Sequence, residues 1–120
     1  MNIELAPGQH PIDLFLEWVA EARAAGAQRP LAMALATALE GAPAVRMVMA
    51  RAADRDGIVF YSSALSRKGI ALTFNPRAAV SFYWAETSRS VRVSGNVEKL
   101  PRADTEVFFR GYAPQIQRAM

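Results

Sequence analysis

Ser66-Arg67-Lys68-Gly69 sets a helix-capping serine directly before two cations. A serine at an N-cap offers its side-chain oxygen to a free backbone N–H one turn ahead. Arg67 and Lys68 then fall in the first turn, where the helix dipole is already positive, so two cations there are unfavourable for the helix alone. They become favourable when an anion sits at that end, because free N–H groups, dipole and side-chain charge converge on it. The arrangement points to a phosphate-type ligand; the alternative is a pair of solvated surface cations. A second pair, Arg46 and Arg51, brackets the apolar run Met47-Val48-Met49-Ala50. By the period of two in a strand, these arginines point to opposite faces unless a bulge intervenes. Either the strand has solvated ends, or it runs along a ligand with its apolar stretch against a flat ring and its cations at polar ends. Arg89, Ser90 and Arg92 form a third polar cluster, which also reads as a charged edge guarding against aggregation.

Much chemistry is disfavoured. The chain has no cysteine and one histidine, His10, which argues against a thiolate or histidine-rich metal centre. Ser62, Ser63 and Ser66 have no histidine in any plausible partner set, against a serine hydrolase. Glu98 and Glu106 could pair as carboxylates, but nothing marks them. Phosphate-type cations without acid–base machinery fit a protein whose cofactor does the chemistry. Fourteen basic and 11 acidic residues give a net charge of +3, with no run of like charge to suggest a nucleic-acid stripe. The aromatics do not interleave with a basic patch either. No apolar run reaches ~18 residues, so no membrane span is expected. No basic-then-apolar leader is apparent. The expectation is a cytoplasmic protein with neither a nucleic-acid nor a membrane partner.

The elements that would position these residues follow from periodicity. The 120 residues are expected to form a single domain, 1–120, with 1–10 extended or mobile. Pro11 suits the first turn of a helix whose buried face is Ile12, Phe15, Leu16, Val19 and Ala22 or Arg23, with Trp18 flanking it. Gly26 ends it and Pro30 confirms the break. Residues 31–39 read as a strand with one large-residue face (Leu31, Met33, Leu35, Thr37, Leu39) and one alanine face. Residues 40–43 read as a turn, 44–51 as a strand, 54–57 as a turn and 58–61 as a strand, which together imply an antiparallel meander. A helix from Ser66 to about Phe74 is stopped by Asn75-Pro76. Residues 78–84 read as an apolar strand buried on both faces, and 89–99 as a strand with Val91, Val93, Gly95 and Val97 on its dry face. Pro101 is expected to open a final helix carrying Val107, Phe108 and Phe109 and closed by Gly111. Five strands with two or three helices suggest a mainly β (α+β) protein: a small antiparallel barrel with flanking helices. A large ligand would sit on its surface or between two copies.

The ordered strings Asp13-Leu14-Phe15-Leu16-Glu17-Trp18, Ala32-Met33-Ala34-Leu35-Ala36-Thr37, Arg46-Met47-Val48-Met49, Val59-Phe60-Tyr61-Ser62, Ser66-Arg67-Lys68-Gly69, Asn75-Pro76-Arg77-Ala78-Ala79 and 91–100 (VRVSGNVEKL) add a further signal. Taken together, over about 11–110, the chain resembles the pyridoxamine 5′-phosphate oxidase family of FMN-binding split barrels. The resemblance implies a homodimer with FMN at the subunit interface. It implies oxidation of pyridoxamine or pyridoxine 5′-phosphate to pyridoxal 5′-phosphate, with oxygen reduced to hydrogen peroxide. It gives Arg46, Met47, Val48, Met49, Ala50 and Arg51 to an FMN-contacting strand, Tyr61 and Ser62 to the cofactor edge, and Arg67 and Lys68 to the FMN phosphate. Arg51 occupies a family lysine position that contacts both flavin and substrate, keeping the charge but not the shape. Ser90 stands where the family usually has a glutamine touching FMN, so that contact is weakened or lost. Around the substrate phosphate, Phe108 aligns with a family tyrosine but has no hydroxyl. The family's arginine falls near Tyr112 or Arg110, and its serine near Pro114. Family members continue through further strands that supply more flavin contacts and an arginine–histidine substrate motif, and this chain stops at Met120. The expectation is a truncated chain or a shortened relative, in which flavin binding survives more surely than oxidase activity. An FMN-dependent reductase or a non-catalytic flavin-binding protein are the alternatives.

Overall fold

Proline at the first helical position gives up an N–H that would have no partner there, and α1 begins at that residue. The computed structural model describes residues 10–54, 57–63, 66–100, 106–111 and 116–118. Helix α1 spans Pro11–Ala24, and His10, to which the sequence assigned no role, is its N-cap: its Nδ1 accepts from the Ile12 N–H at 3.1 Å. The buried stripe is Ile12, Phe15, Trp18, Val19 and Ala22. Leu16, expected on that stripe, is 39% exposed, while Trp18 is 5% exposed. At 100° per residue Leu16 lies about 95° from the centre of the buried stripe and Trp18 about 65°, so Trp18 falls nearer the core.

The strands are β1 (Ala32–Leu39), β2 (Ala42–Asp54), β3 (Gly57–Ser63), β4 (Arg77–Trp84), β5 (Arg89–Leu100), β6 (Glu106–Gly111) and β7 (Ile116–Arg118), with helix α2 (Arg67–Phe74) between β3 and β4. All pairings are antiparallel. The order β4-β1-β2-β3-β6-β5 returns through a β4–β5 pairing, so six strands close into a barrel and β7 adds to β5. The expected antiparallel barrel is present, with seven described strands where five were anticipated. The first cause is β6: residues 106–111, expected in a helix, form a strand that pairs with both β3 and β5. Two otherwise open strand edges and the run Val107-Phe108-Phe109, rich in β-formers, outweigh the helical reading. The expected opening of that helix at Pro101 lies outside the described residues, as do residues 1–9.

The turn after β1 is tighter than expected. Leu39 pairs with Ala42, leaving only Glu40 (φ 51) and Gly41 (φ 80) in the turn. Two successive positive φ values match the twist of the flanking strands. Ala42 and Pro43 are therefore strand residues.

Strands β2 and β5 each serve two sheets. From Ala42 to Met49, β2 pairs with β1; from Ala50 onward it pairs with β3, with a bulge between Ala50 and Ala52 that leaves Arg51 as the extra residue. Strand β5 pairs with β4 as far as Asn96 and with β6 from Val97. Single hydrogen bonds mark both changeovers: the Ala50 N–H donates to the Leu31 carbonyl at 2.9 Å, and the Val97 N–H to the Pro76 carbonyl at 2.6 Å. No described strand pairs with the second edge of β2 over 42–49, so the barrel is split there.

The core joins α1 to the barrel interior. Phe15 meets Phe82 edge-on at 4.8 Å, and Phe82 stacks with Trp84 at 6.0 Å between ring centroids. The Trp84 indole donates to the Pro30 carbonyl at 2.8 Å, so its polar atom is satisfied in the interior. Strand β4 was expected to be buried on both faces. Instead it alternates: Phe82 and Trp84 are buried, while Tyr83 is 70% exposed. Among the described residues nothing covers the Tyr83 side chain on the outer face of this sheet.

Phe15→Ala should destabilise the fold by about 3–5 kcal/mol in equilibrium urea unfolding. Leu16→Ala, at the half-open edge of the helix, should cost less than about 1 kcal/mol in the same measurement.

Candidate functional site

On β1 the inward row runs Met33, Leu35, Thr37, all buried. Arg46 of β2 stands opposite Leu35 in register. Its Nη1 donates to Thr37 Oγ1 at 2.7 Å and to the Leu35 carbonyl at 3.2 Å. The guanidinium is thereby fixed at the barrel rim, beside the unpaired edge of β2.

Helix α2 starts as its sequence requires. Ser66 is the N-cap, its Oγ accepting from the Gly69 N–H at 3.1 Å, and its carbonyl accepts from the Ile70 N–H at 2.9 Å. No acid lies in the first turn; Arg67 is exposed and Lys68 half-buried there. The helix packs on β1 and β3. A cleft of about 460 Å³ results, lined by Arg67, Ile70 and Ala71 from α2, by Thr37, and by Leu39, Glu40, Ala42, Pro43, Ala44 and Arg46 around the β1–β2 hairpin. Two cations from separate elements thus line one cleft at a helix N-terminus. Glu40 is the single carboxylate among the described lining residues.

Arg51, the extra residue of the bulge, lays its guanidinium over the Tyr61 ring at 4.6 Å from the centroid. Such a contact holds a cation in place without a carboxylate partner. Tyr61 alternates with the buried Phe60, so this pair is on the outer side of the sheet. The two arginines of β2 therefore face opposite sides despite the bulge. What they share is the strand edge: Arg46 lies within the unpaired stretch, and Arg51 lies where the split closes.

The remaining predicted residues scatter around this frame. Met47 and Met49 are 67% and 45% exposed on the outer face, Val48 is half-buried, and Ala50 is 4% exposed in the core. Ser62 lies in β3, and Phe108 in β6 is backbone-paired with Tyr61. Ser90 lies opposite Tyr83 on β5, buried, and does not line the cleft. Tyr112 is outside the described residues. Thr37 is the cleft residue that the sequence reading passed over as one more member of a large-residue face. Its signal was a hydroxyl in an otherwise hydrocarbon row. Among the described residues no cluster of histidine, cysteine or carboxylates could hold a metal, and no helix is long and apolar enough to cross a membrane.

Comparison with known proteins gives this geometry a context. The profile of the family described as pyridoxamine 5′-phosphate oxidase matches residues 19–119. The pyridoxine/pyridoxamine 5′-phosphate oxidase of Rhodopseudomonas palustris (strain HaA2) is 42% identical over 115 residues, covering 95% of this chain and 54% of that protein. The chain spans about half the length of the curated relatives it matches. Among solved structures, PhzG from Burkholderia lata 383, in complex with tetrahydrophenazine-1-carboxylic acid, superposes with a TM-score of 0.86 at 22% identity, over 98% of this chain and 86% of that one. A pyridoxamine 5′-phosphate oxidase-related, FMN-binding protein from Nostoc punctiforme PCC 73102 superposes at 0.68 and 20% identity, over 83% and 53%. These two likenesses establish the split-barrel fold.

Ser66→Ala removes the cap of α2 and should cost about 1 kcal/mol of stability. Arg67→Ala relieves an unfavourable charge–dipole contact and should leave the ligand-free protein unchanged or more stable by up to about 0.5 kcal/mol. Thermal unfolding in buffer free of phosphate and sulfate checks both.

Proposed function

The chain belongs to the pyridoxamine 5′-phosphate oxidase family, and on that premise we propose that it binds FMN between two copies of itself and serves as an oxidoreductase. Its reaction on this reading is the oxidation of pyridoxamine or pyridoxine 5′-phosphate to pyridoxal 5′-phosphate, with oxygen reduced to hydrogen peroxide. The observation that carries the reading is the placement of Arg46 and Arg67 in one cleft at the N-terminus of α2. A phosphate monoester suits that cleft: fixed guanidinium donors, a neighbouring lysine and helix N–H groups favour a compact dianion. The residues present therefore fit the group.

In this reading Arg46, Arg67 and Lys68 hold the FMN phosphate. The open edge of β2 over 42–49 offers backbone N–H and C=O groups to the polar rim of the flavin ring. Met47, Val48, Met49 and Ala50 supply the apolar stretch between them, and Tyr61 and Ser62 border the ring. Arg51, held on Tyr61, keeps a permanent positive charge at the far end, where it also meets substrate. When bound, FMN supplies the two-electron redox chemistry that these side chains lack. The family resemblance gives the positions of Phe108 and Tyr112 to the substrate phosphate. Ser90 is buried and does not line the cleft of its own chain, so the family's glutamine contact adds nothing to this cleft.

A second copy also accounts for the outer sheet face. Val45, Met47 and Tyr83 are 69%, 67% and 70% exposed there, beside the alanine face of β1. An apolar surface of this kind on one side of a sheet marks an interface. One observation favours a second reading, in which FMN serves a reductase or a non-catalytic flavin carrier. Phe108 replaces a hydroxyl that the family's tyrosine directs at the substrate phosphate.

Charge-assisted hydrogen bonds contribute about 1.5–3 kcal/mol each. FMN should therefore bind about 100-fold or more tighter than riboflavin, and Arg46→Met should remove at least about tenfold of that. Fluorescence titration with both flavins checks this, and equal affinity for the two contradicts the phosphate site. Hydrogen peroxide formed from pyridoxamine 5′-phosphate supports the oxidase; flavin bleaching by a nicotinamide cofactor without that turnover supports the second reading. Light scattering should show a dimer, and Met47→Glu should shift it towards monomer.

A further inference from the structure

Thr37 is 5% exposed at the end of an inward row whose other members, Met33 and Leu35, are wholly buried hydrocarbon side chains. A hydroxyl in such a place is unfavourable unless it is hydrogen-bonded. Here it accepts from Arg46 Nη1 at 2.7 Å, and the Leu35 carbonyl accepts from the same nitrogen at 3.2 Å. Both hydrogens of Nη1 are thus committed to β1. The guanidinium is a rigid plane with five donors, so holding one nitrogen sets the direction of the other two. The three N–H groups on Nη2 and Nε have no partner among the described residues. Thr37 itself lines the cleft that Arg46 shares with Arg67.

We infer that Thr37 is a positioning residue that aims the free fork of Arg46 at a phosphate monoester in the cleft, and so sets the preference for phosphorylated over unphosphorylated flavin. The inference rests on the FMN reading above. The alternative is a buried threonine that borrows a convenient donor and matters only for stability. The two differ in what substitution does. Valine keeps the shape and burial of Thr37 but removes the acceptor, so Arg46 loses one of its two anchors and swings among rotamers. The loss falls on the ligand that needs the fork, which is FMN, and not on riboflavin, which lacks the phosphate.

The test is a fluorescence titration of the 120-residue chain with FMN and with riboflavin, on wild type, Thr37→Val and Thr37→Ser, with the unfolding midpoint followed in parallel. Thr37→Val should weaken FMN about tenfold, the scale of one lost charge-assisted contact, and change riboflavin by less than about twofold. Thr37→Ser, which keeps the acceptor, should restore FMN affinity to within about threefold of wild type. Should Thr37→Val fail to fold, Thr37→Ala measured in the wild-type and Arg46→Met backgrounds replaces it. The FMN-to-riboflavin ratio should then fall only where Arg46 is present. Equal weakening of both flavins, an unchanged ratio in Thr37→Val, or the same fall without Arg46 overturns the inference. Wild type that binds FMN no better than riboflavin sinks the FMN reading itself, and the inference with it. Wild-type preference left intact by Thr37→Val sinks the inference alone.

Discussion

The transfer of β2 from one sheet to another at Ala50 is the constraint on which the rest of the structure depends. Up to Met49 the strand is hydrogen-bonded to β1, and after the bulge it is hydrogen-bonded to β3. A strand that serves two sheets in succession leaves one edge unpaired in each half, and unpaired edges demand partners. In its first half, over 42–49, the strand has β1 on one edge and no described strand on the other. In its second half the sheet continues instead through β3 to β6 and β5, and the edge that β1 occupied is the one left open. Pro43 lies near the start of the 42–49 stretch, where a missing N–H is tolerated on an edge. The same changeover places Arg51 in the bulge and sends its side chain onto Tyr61. One irregularity of backbone pairing thus creates an open edge and puts a fixed cation where it ends.

Helix α2 adds the charge. It packs on β1 and β3, which brings Arg67 to the cleft that Arg46 and Thr37 also line. Its first turn contradicts the usual preference for acids at a helix N-terminus. Arg46, by contrast, is anchored through one nitrogen, Nη1, to Thr37 and the Leu35 carbonyl. One arginine is therefore pre-set and the other is exposed and adjustable, a division suited to capturing an anion and then holding it in one orientation.

Local rules made several features legible in the sequence. The cap at Ser66, the start of α1 at Pro11, the alternating face of β1 and the stop at Asn75-Pro76 each follow from a few neighbouring residues, and the structure has them. The errors came from long-range pairing. Val107-Phe108-Phe109 reads as one side of a helix until two distant strand edges are available to it. The face of β4 that carries Tyr83 reads as buried because its residues are apolar, yet among the described residues nothing covers Tyr83. His10 and Thr37 were passed over for another reason. Each does one specific thing through one hydrogen bond, and a single polar residue in a row of hydrocarbons has no periodic signature. The cation pair at α2 was legible as an anomaly, but its convergence with Arg46 required the fold.

The central claim is that a phosphorylated flavin lies along the open edge of β2 with its phosphate at the start of α2. Hydrogen–deuterium exchange of the protein with and without FMN tests it most directly. The account predicts slowed amide exchange over residues 42–49 and 66–70 on FMN addition, with α1 unchanged. FMN binding that leaves both segments as exposed as before, or that protects α1 instead, would contradict it.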